Sequence, residues 1–195
     1  MKNVERTKAS LIDAARRAFA EDGYERTTVR SVASKAGVNP ALINRYFGGK
    51  EGLFATAVQI DLQLPDLAPL PKADIGPALV QHFFDRWDGR EDDILRTLIR
   101  TSGTHPEAAA HMRRVLGEQV RPLVERLSGG NGAPERAALV ATQILGLAYF
   151  RYVLEAPDLV LSPKTATSVI GATINHYLFG ALPLSDAEPT AVSTE

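Results

Sequence analysis

The sequence predicts an all-α fold, in which a small three-helix unit at the N-terminal end is joined to a larger helical region, giving about nine helices. Apolar residues recur at helical spacing along most of the chain, and strand patterns are nearly absent. The stretch TTVRSVASKAGVNPALINRYFGGK at 27–50 has the pattern of two short helices joined by a tight turn. Four prolines between 65 and 77 then interrupt the helical pattern and mark a domain boundary.

The first helix is predicted over residues 6–22. Gly23 ends it, because glycine adopts the backbone conformations that close a helix at little cost, and Tyr24 is expected to pack back against it. Its apolar face is formed by Leu11, Ile12, Ala15, Ala18 and Phe19.

The second helix begins after a threonine cap, at Thr27 or Thr28, and runs to about Ala36. Gly37 follows at the position where a left-handed residue ends a helix. Ala33 is small where two steeply crossing helices must approach closely. This order of cap, small residue and glycine favours a helix-turn-helix.

The third helix is predicted from about Pro40 to Phe47, with Asn39 as its cap and Pro40 at its first position. A helix-turn-helix places this second helix of the pair in the major groove of DNA. A plain helical hairpin within a bundle is the alternative interpretation. The small apolar core of the pair comprises Val32, Ala33, Ala36, Val38, Ile43 and Phe47.

The exposed face of the third helix is expected to read bases. Pro40 and Ala41 suit contact with a thymine methyl group, and Asn39 lies beside them in the same interface. Asn44 suits adenine, and Arg45 suits guanine or a phosphate. On the second helix, Arg30 is a further candidate.

Phosphate contacts, which set register without reading sequence, are expected from hydroxyl and amino groups around this helix. Lys50 opens the fourth helix, so the positive end of that helix can also face a phosphate. Gly48 and Gly49 allow the backbone to approach DNA closely. The predicted phosphate-binding side chains are those of Thr27, Thr28, Tyr46 and Lys50.

The domains are predicted as a DNA-binding unit over 1–50, a helical regulatory and dimerisation unit over 51–182, and a flexible tail over 183–195. A fourth helix, from near Lys50 to about Leu64, links the two units. Pro122 is expected to kink or split one of the later helices. These are predicted near 76–88, 91–103, 106–128, 134–155 and 163–181.

Helices 134–155 and 163–181 have long apolar faces that predict a homodimer through a four-helix interface. The alternative is that both helices serve only the core of one chain. Neither is expected to span a membrane, because Gln143 and Arg151 interrupt the first, and Asn175 and His176 the second.

Charge and composition restrict the function classes. The first 60 residues hold ten basic and six acidic side chains, whereas the remainder is acidic, which suggests one polyanion-binding end. The chain has no cysteine and begins with a charged segment, as expected of a cytoplasmic protein. No nucleophile, phosphate-loop or metalloprotease motif is present, so no enzyme activity, cofactor or metal site is expected.

The frame GYERTTVRSVASKAGV followed by YFGGKEGL resembles the TetR family of transcriptional regulators, over about residues 7–60. That resemblance implies an all-α homodimer with a three-helix DNA-binding domain and a larger helical domain. It implies a repressor released by a small molecule, with Thr28 starting the second helix and Lys50 contacting the DNA backbone. Tyr46 matches the second aromatic of a frequent Y-x-Y-F string, and Asn44 replaces the first. Residues 143–160 resemble the C-terminal domain of one large subgroup more loosely.

A cavity for an apolar or aromatic effector is predicted in the regulatory unit, where occupancy would move the fourth helix and the DNA-binding unit. The alternative for each candidate side chain listed below is that it only packs in the core. The alternative function is a helical ligand-binding or protein-interaction dimer without DNA binding. The candidate ligand-binding residues are Phe83, Trp87, His105, Met112, Tyr149 and Phe150.

Overall fold

The computed structural model describes residues 2–87 and 94–183, and all regular secondary structure within them is helical, which confirms the all-α prediction. We call α1–α4 the head and α5–α10 the body. A π-helical turn joins α7 to α8, so these two correspond to one predicted helix and the predicted total of about nine is met. The helices are α1 Lys2–Arg26, α2 Val29–Ala36, α3 Ala41–Phe47, α4 Lys50–Ala57, α5 Lys72–Trp87, α6 Ile94–Ser102, α7 Pro106–Val115, α8 Arg121–Ser128, α9 Ala133–Ala148 and α10 Pro163–Phe179.

The head is built on α1, which starts at Lys2, earlier than predicted, and loses helical geometry at Gly23 (φ 74°, ψ 172°). The predicted break is therefore confirmed. After it, the ring of Tyr24 stacks on that of Phe19 with centroids 5.8 Å apart, as expected. The short segment from Gly23 to Thr28 thus turns the chain back onto α1 before α2 begins.

The fourth helix ends at Ala57, so the prediction that it continues to about Leu64 is wrong. Gln119 of the body holds the following segment in a non-helical conformation. Its Nε2 donates to the Ile60 carbonyl at 2.8 Å, and its Oε1 accepts from the Leu62 amide at 2.7 Å. These long-range bonds pair backbone groups that a continuing helix would have paired locally.

The fifth helix starts at Lys72, earlier than predicted, so Pro77 lies inside it. A proline has no N–H to donate to the carbonyl one turn earlier, here that of Ala73. Asn175 of α10 replaces the missing donor, because its Nδ2 donates to the Ala73 carbonyl at 2.6 Å. Its Oδ1 also accepts from the Gly76 amide at 2.7 Å. The helix thus continues through the proline with the help of Asn175, which lies ninety-nine positions beyond Gly76 in the sequence.

The crossing of α5 and α10 brings the two backbones into contact. A Cβ atom on Gly76 would lie 2.0 Å from the Gly171 carbonyl oxygen. A Cβ atom on Gly171 would lie 2.7 Å from the Pro77 nitrogen. Only glycine fits at both positions, because the opposing atoms are backbone and cannot move aside.

The predicted helix over 106–128 is split as its proline suggested. The π-helical turn Leu116–Val120 ends two residues before Pro122, and the Arg121 amide donates to the Leu116 carbonyl five residues earlier. The wider turn leaves room for the proline ring, which would clash with the preceding turn of a regular α-helix. A second π-helical turn, Tyr149–Val153, extends α9 to near its predicted end.

Two apolar clusters form the core of the molecule. One lies in the head, but Leu98 of α6 and Ala108 of α7 are buried in it as well. The other lies in the body between α5, α8, α9 and α10. The head and the body therefore meet along α6 and α7. Among the largest fully buried side chains are Leu11, Phe19, Ile43 and Phe54 in the head and Val80, Val124, Ile174 and Leu178 in the body.

The two apolar C-terminal segments form α9 and α10, which pack against each other and the body core. Within residues 2–87 and 94–183, no helix combines the length and apolar character that crossing a membrane requires. The predicted flexible tail falls mostly on residues 184–195, which lie outside the described residues.

Candidate nucleic-acid interface

The turn between α2 and α3 has the geometry that its sequence predicts. Gly37 is left-handed (φ 67°, ψ 33°), and its amide donates to the Ser34 carbonyl at 3.1 Å. The Val38 amide donates to the Ala33 carbonyl at 3.0 Å. This pair of bonds is the Schellman closure of a helix, and it sends the chain directly into α3.

Side-chain caps fix both helices of the pair. Thr28 caps α2, because its Oγ1 accepts from the Ser31 amide at 3.0 Å while the Ser31 Oγ accepts from the Thr28 amide at 3.1 Å. Asn39 caps α3 by accepting from the Ala41 amide at 2.8 Å. Pro40 already has helical angles. The predicted caps at Thr28 and Asn39 are confirmed.

The third helix has one buried face and one free face. Ile43 is fully buried and anchors α3 on the head core. On the other side Pro40, Ala41, Asn44 and Arg45 are exposed. Leu42 and Phe47 pack on the same core beside Ile43. A helix held at its base by apolar side chains, with small and polar side chains outward, suits insertion into a major groove.

Two arginines near this face, Arg30 on α2 and Arg45 on α3, are exposed and have no carboxylate partner among the described residues. The Arg45 guanidinium lies 5.9 Å from the centroid of the half-buried Tyr46 ring, and Lys8 lies 5.8 Å from it. The polar tips around α3 are therefore mainly cationic, as phosphate contact requires.

The predicted phosphate contact of Thr27 is wrong. Its side chain is buried, and its hydroxyl donates to the Gly23 carbonyl at 2.7 Å and contacts the Ala18 carbonyl at 3.0 Å. These bonds close the end of α1, so the hydroxyl cannot reach DNA. Thr28 is exposed, so its phosphate contact stays a prediction.

The amino group of Lys50 lies at the first turn of α4, as predicted, but it already has neighbours. It is 4.3 Å from the centroid of the Tyr24 ring and 3.3 Å from the Glu25 carbonyl oxygen. Gly49 precedes it with φ 124°, a conformation open to glycine. The position of Lys50 thus depends on the segment that joins α1 to α2.

The body contains an apolar cavity of about 110 Å³. Phe83, Trp87 and Met112 line it, as the sequence analysis expected. The two polar side chains in its wall are committed elsewhere: His82 bonds the Leu62 carbonyl at 3.0 Å, and Arg86 bonds the Gln63 side chain at 2.7 Å. Its remaining walls are formed mainly by leucine, isoleucine, valine and alanine side chains.

Three predicted ligand residues do not line this cavity. Tyr149 and Phe150 are each 43% exposed at the π-helical turn after α9, which directs them outward. His105 precedes α7 and faces the head, where its Nε2 lies 2.8 Å from the Glu25 carboxylate. Helical periodicity alone did not distinguish an inward aromatic side chain from an outward one on these elements.

The structure also reveals functional residues that the sequence analysis missed. Leu98 belongs to the head core and also lines the body cavity. Gln119 holds the connection between the two parts. No local pattern identifies these residues, because each role depends on a contact distant in sequence. In residues 2–87 and 94–183, no group of three His, Asp or Glu side chains could hold a metal ion.

Two family models match the chain. Residues 11–57 match the model of bacterial regulatory proteins of the tetR family, which covers the helix-turn-helix. Residues 73–178 match the model of the tetracyclin repressor-like C-terminal domain, which covers the body.

Individual proteins agree with these models. The HTH-type transcriptional regulator BetI of Brucella anthropi is 42% identical over 187 residues, which cover 88% of this chain and 91% of that protein. BetI 2 of Chromohalobacter salexigens is 38% identical over 89 residues, only 40% of this chain and 42% of its own length. A crystal structure of a TetR-family regulator from Streptomyces coelicolor is 28% identical, with a TM-score of 0.56 over 89% of this chain and 95% of that one.

Proposed function

The chain belongs to the TetR family of DNA-binding transcriptional regulators, and we propose that it is a repressor that binds a palindromic operator as a homodimer. A small apolar or aromatic molecule in the body cavity releases it from the operator. The protein works in the cytoplasm, beside the DNA that it regulates. The observation that carries this proposal is the division of α3 into a buried anchor and an exposed polar face.

Base reading is assigned to the exposed side chains of α3. Asn44 and Arg45 have the donor and acceptor groups that distinguish base pairs in the major groove. Thr28, Tyr46 and Lys50 supply phosphate contacts around them. A helical dimer that has lost DNA binding is disfavoured, because such a protein would have no reason to keep these groups together and uncovered.

A homodimer is supported by apolar side chains left exposed near α9 and α10. Phe150 is 43% exposed and Val169 is 55% exposed. Leu154 and Leu159 lie between them in sequence and are also exposed. A second copy of the chain would cover these groups around a twofold axis and set the two α3 helices one turn of DNA apart.

An apolar effector is supported by the chemistry of the cavity wall. Neither His82 nor Arg86 has its polar group free, so the surface offered to a ligand is almost wholly hydrocarbon. A volume of about 110 Å³ is of the same order as a cavity of roughly 150 Å³ that holds benzene, so a small aromatic molecule suits it. Effector and operator must weaken each other's binding equally, by linkage.

DNA binding is tested by selecting bound duplexes from random DNA with the purified protein. We expect a palindrome whose affinity falls steeply with salt. Arg45→Ala should reduce affinity by roughly tenfold or more, whereas Arg126→Ala, on the exposed surface of α8, should leave it unchanged. Failure to enrich any palindrome, or equal binding by the Arg45 variant, would refute the proposal.

The effector site is tested with toluene as a probe, by measuring its effect on operator affinity and thermal stability. Toluene should weaken operator binding by the wild type. Ala141→Phe, which fills the cavity from α9, should bind operator normally and lose the response. A response of equal size in the variant would place the effector elsewhere.

A further inference from the structure

The joint between the head and the body contains a cluster of four side chains, which we call the His105 node: Tyr24, Glu25, Lys50 and His105. The His105 Nε2 lies 2.8 Å from the Glu25 carboxylate, and its ring packs on the Tyr24 ring with centroids 4.3 Å apart. The Lys50 amino group lies 4.3 Å from the centroid of the Tyr24 ring and donates to the backbone carbonyl of Glu25 at 3.3 Å. The imidazole and the amino group are therefore linked through one tyrosine and one glutamate.

His105 is the member of the node that belongs to the body. It precedes α7, whereas Tyr24, Glu25 and Lys50 belong to the head. Among the described residues, its ion pair with Glu25 is the one that joins the two parts. Thr104 holds the ring from behind, with its Oγ1 2.9 Å from the His105 Nδ1. The imidazole is thus fixed on the body and contacts the head directly.

The Tyr24 ring is packed firmly enough to transmit a displacement. It lies 4.8 Å from the Phe54 ring in an edge contact and stacks on Phe19. Burial raises the pKa of its hydroxyl, and the negative charges of Glu51 and two other carboxylates raise it further. The amino group of Lys50 beside this ring therefore sits in a negative environment that favours its present position.

The same helix connects the node to the cavity. Met112 and Val115 of α7 line the cavity, and Met112 lies two helical turns, or about 10 Å, from His105. Leu98 of α6 lines the cavity and is also buried in the head core. A molecule that displaces α7 therefore displaces His105 relative to the head.

We infer that His105 is a positioning residue, which holds Lys50 in place for its phosphate contact by way of Glu25 and Tyr24 and relays cavity occupancy to it. This inference rests on the proposed function of Lys50 in DNA binding. Imidazole suits the role because one ring supplies both an aromatic face for Tyr24 and an N–H for the carboxylate.

The first experiment requires no DNA. His105→Phe keeps the ring contact with Tyr24 and removes the pair with Glu25. We expect backbone amides of residues 24–28 to exchange roughly tenfold faster in this variant. Arg100→Gln, which breaks an exposed ion pair within the body, serves as the control and should leave these rates unchanged. Wild-type exchange rates in His105→Phe would overturn the inference.

The second experiment measures the salt dependence of binding to the selected operator duplex. His105→Phe should reduce the slope of log K against log salt by about 0.9 per head, or about 1.8 per dimer. Lys50→Met should reduce it by the same amount, and the double variant should show no further reduction. An unchanged slope in His105→Phe, or additive losses in the double variant, would overturn the inference.

A further variant, and the exchange rates measured without DNA, distinguish failure of this inference from failure of the proposed function. Glu25→Ala removes the acceptor of the His105 N–H from a side chain that is 80% exposed, so it tests the node if the His105 variant does not fold. If the wild type binds no duplex, the proposed function fails, while the exchange rates at 24–28 still decide whether His105 positions this segment.

Discussion

The head and the body differ in the kind of surface that remains available for binding after folding: polar groups in the head and apolar groups in the body. The head buries its large apolar side chains, such as Leu11, Ile43 and Phe54, and leaves polar groups free on α3. The body retains an apolar cavity and leaves Phe150 and Val169 exposed. Free polar groups suit a polyanion, whereas free apolar surface suits a second chain and a hydrocarbon ligand. The surface that each part leaves uncovered thus indicates the kind of partner it suits.

The difference extends to how the two parts are held together internally. The turns of the head close through neighbours in sequence, as in the Thr28 cap and the Gly37 turn. The body depends on contacts between distant residues, above all at the α5–α10 crossing. Substitutions in the head should therefore disturb local turns and DNA contacts, whereas substitutions in the body should disturb packing between distant segments.

The largest effect is expected from Gly171→Ala, because the added methyl would meet the backbone of Pro77. We expect a loss of about 3 kcal/mol in the free energy of unfolding, measured with urea. Gly117→Ala is the matched control, since it lies in a helical turn with nothing within 4 Å of the added carbon. That variant should be slightly more stable than the wild type. Equal effects would contradict the close crossing.

The apolar surface of the body is tested with the double variant Phe150→Glu, Val169→Glu. We expect a monomer by sedimentation, because buried charges at the subunit interface are costly. Operator affinity should fall about 100-fold or more, since the two heads no longer bind together. Leu70→Glu, at another exposed leucine, should remain dimeric. A dimeric double variant would assign the interface to another surface.

The two threonines before α2 provide a comparison within the head. Thr27→Val removes a buried hydroxyl that bonds two carbonyls, so we expect a loss of about 1–3 kcal/mol in stability. Operator affinity of the folded variant should not change. Thr28→Ala should cost about 1 kcal/mol in stability, through its lost cap. It should also reduce operator affinity, because its exposed hydroxyl is placed for a phosphate contact, while the salt slope stays the same because a hydroxyl carries no charge. A loss of operator affinity in Thr27→Val but not in Thr28→Ala would refute the distinction between them.

The smallest effect concerns His111, which is buried at the joint on α7. Burial lowers its pKa below the usual value, the positive charge of Arg114 lowers it further, and the nearby Val58 carbonyl opposes this without a well-formed hydrogen bond. Below about pH 6.5 the unfolded histidine therefore binds a proton that the folded one does not. Stability should fall as pH decreases from there to the folded pKa, by at most about 1.4 kcal/mol per pH unit.

His111→Gln should remove this part of the pH dependence of the unfolding free energy. His176→Gln, at an exposed histidine of α10, controls for the general loss of a histidine. If both variants kept the full slope below pH 6.5, another group would be responsible.

Much of the head could be predicted from sequence, because its signals are local. The cap at Thr28, the left-handed turn at Gly37 and the restart at Asn39 and Pro40 each act within a few residues, and all are found as expected. Thr27 was misjudged because a hydroxyl beside a cap is indistinguishable in sequence from one that caps. Only the packing of α1 shows that it is buried.

The body was less predictable, because contacts between residues distant in sequence decide its structure. Pro77 reads locally as a helix breaker, yet Asn175 supplies the donor that lets α5 pass through it. The sequence of residues 58–64 predicts a continuing helix, yet Gln119 holds this segment in a non-helical conformation through two backbone hydrogen bonds. In both cases a distant side chain replaces a local backbone hydrogen bond, which no pattern of neighbouring residues can show.

The sequence by itself determined the all-α class, the helix-turn-helix and the exposed polar face of α3, because propensity, capping and periodicity act over a few residues. The tertiary structure alone decided which aromatic side chains enclose the cavity and which remain outside. It also decided that His105 faces the head, since that depends on how α7 packs against α4. Helical periodicity places a side chain on one face of its own helix, but only packing determines what that face meets.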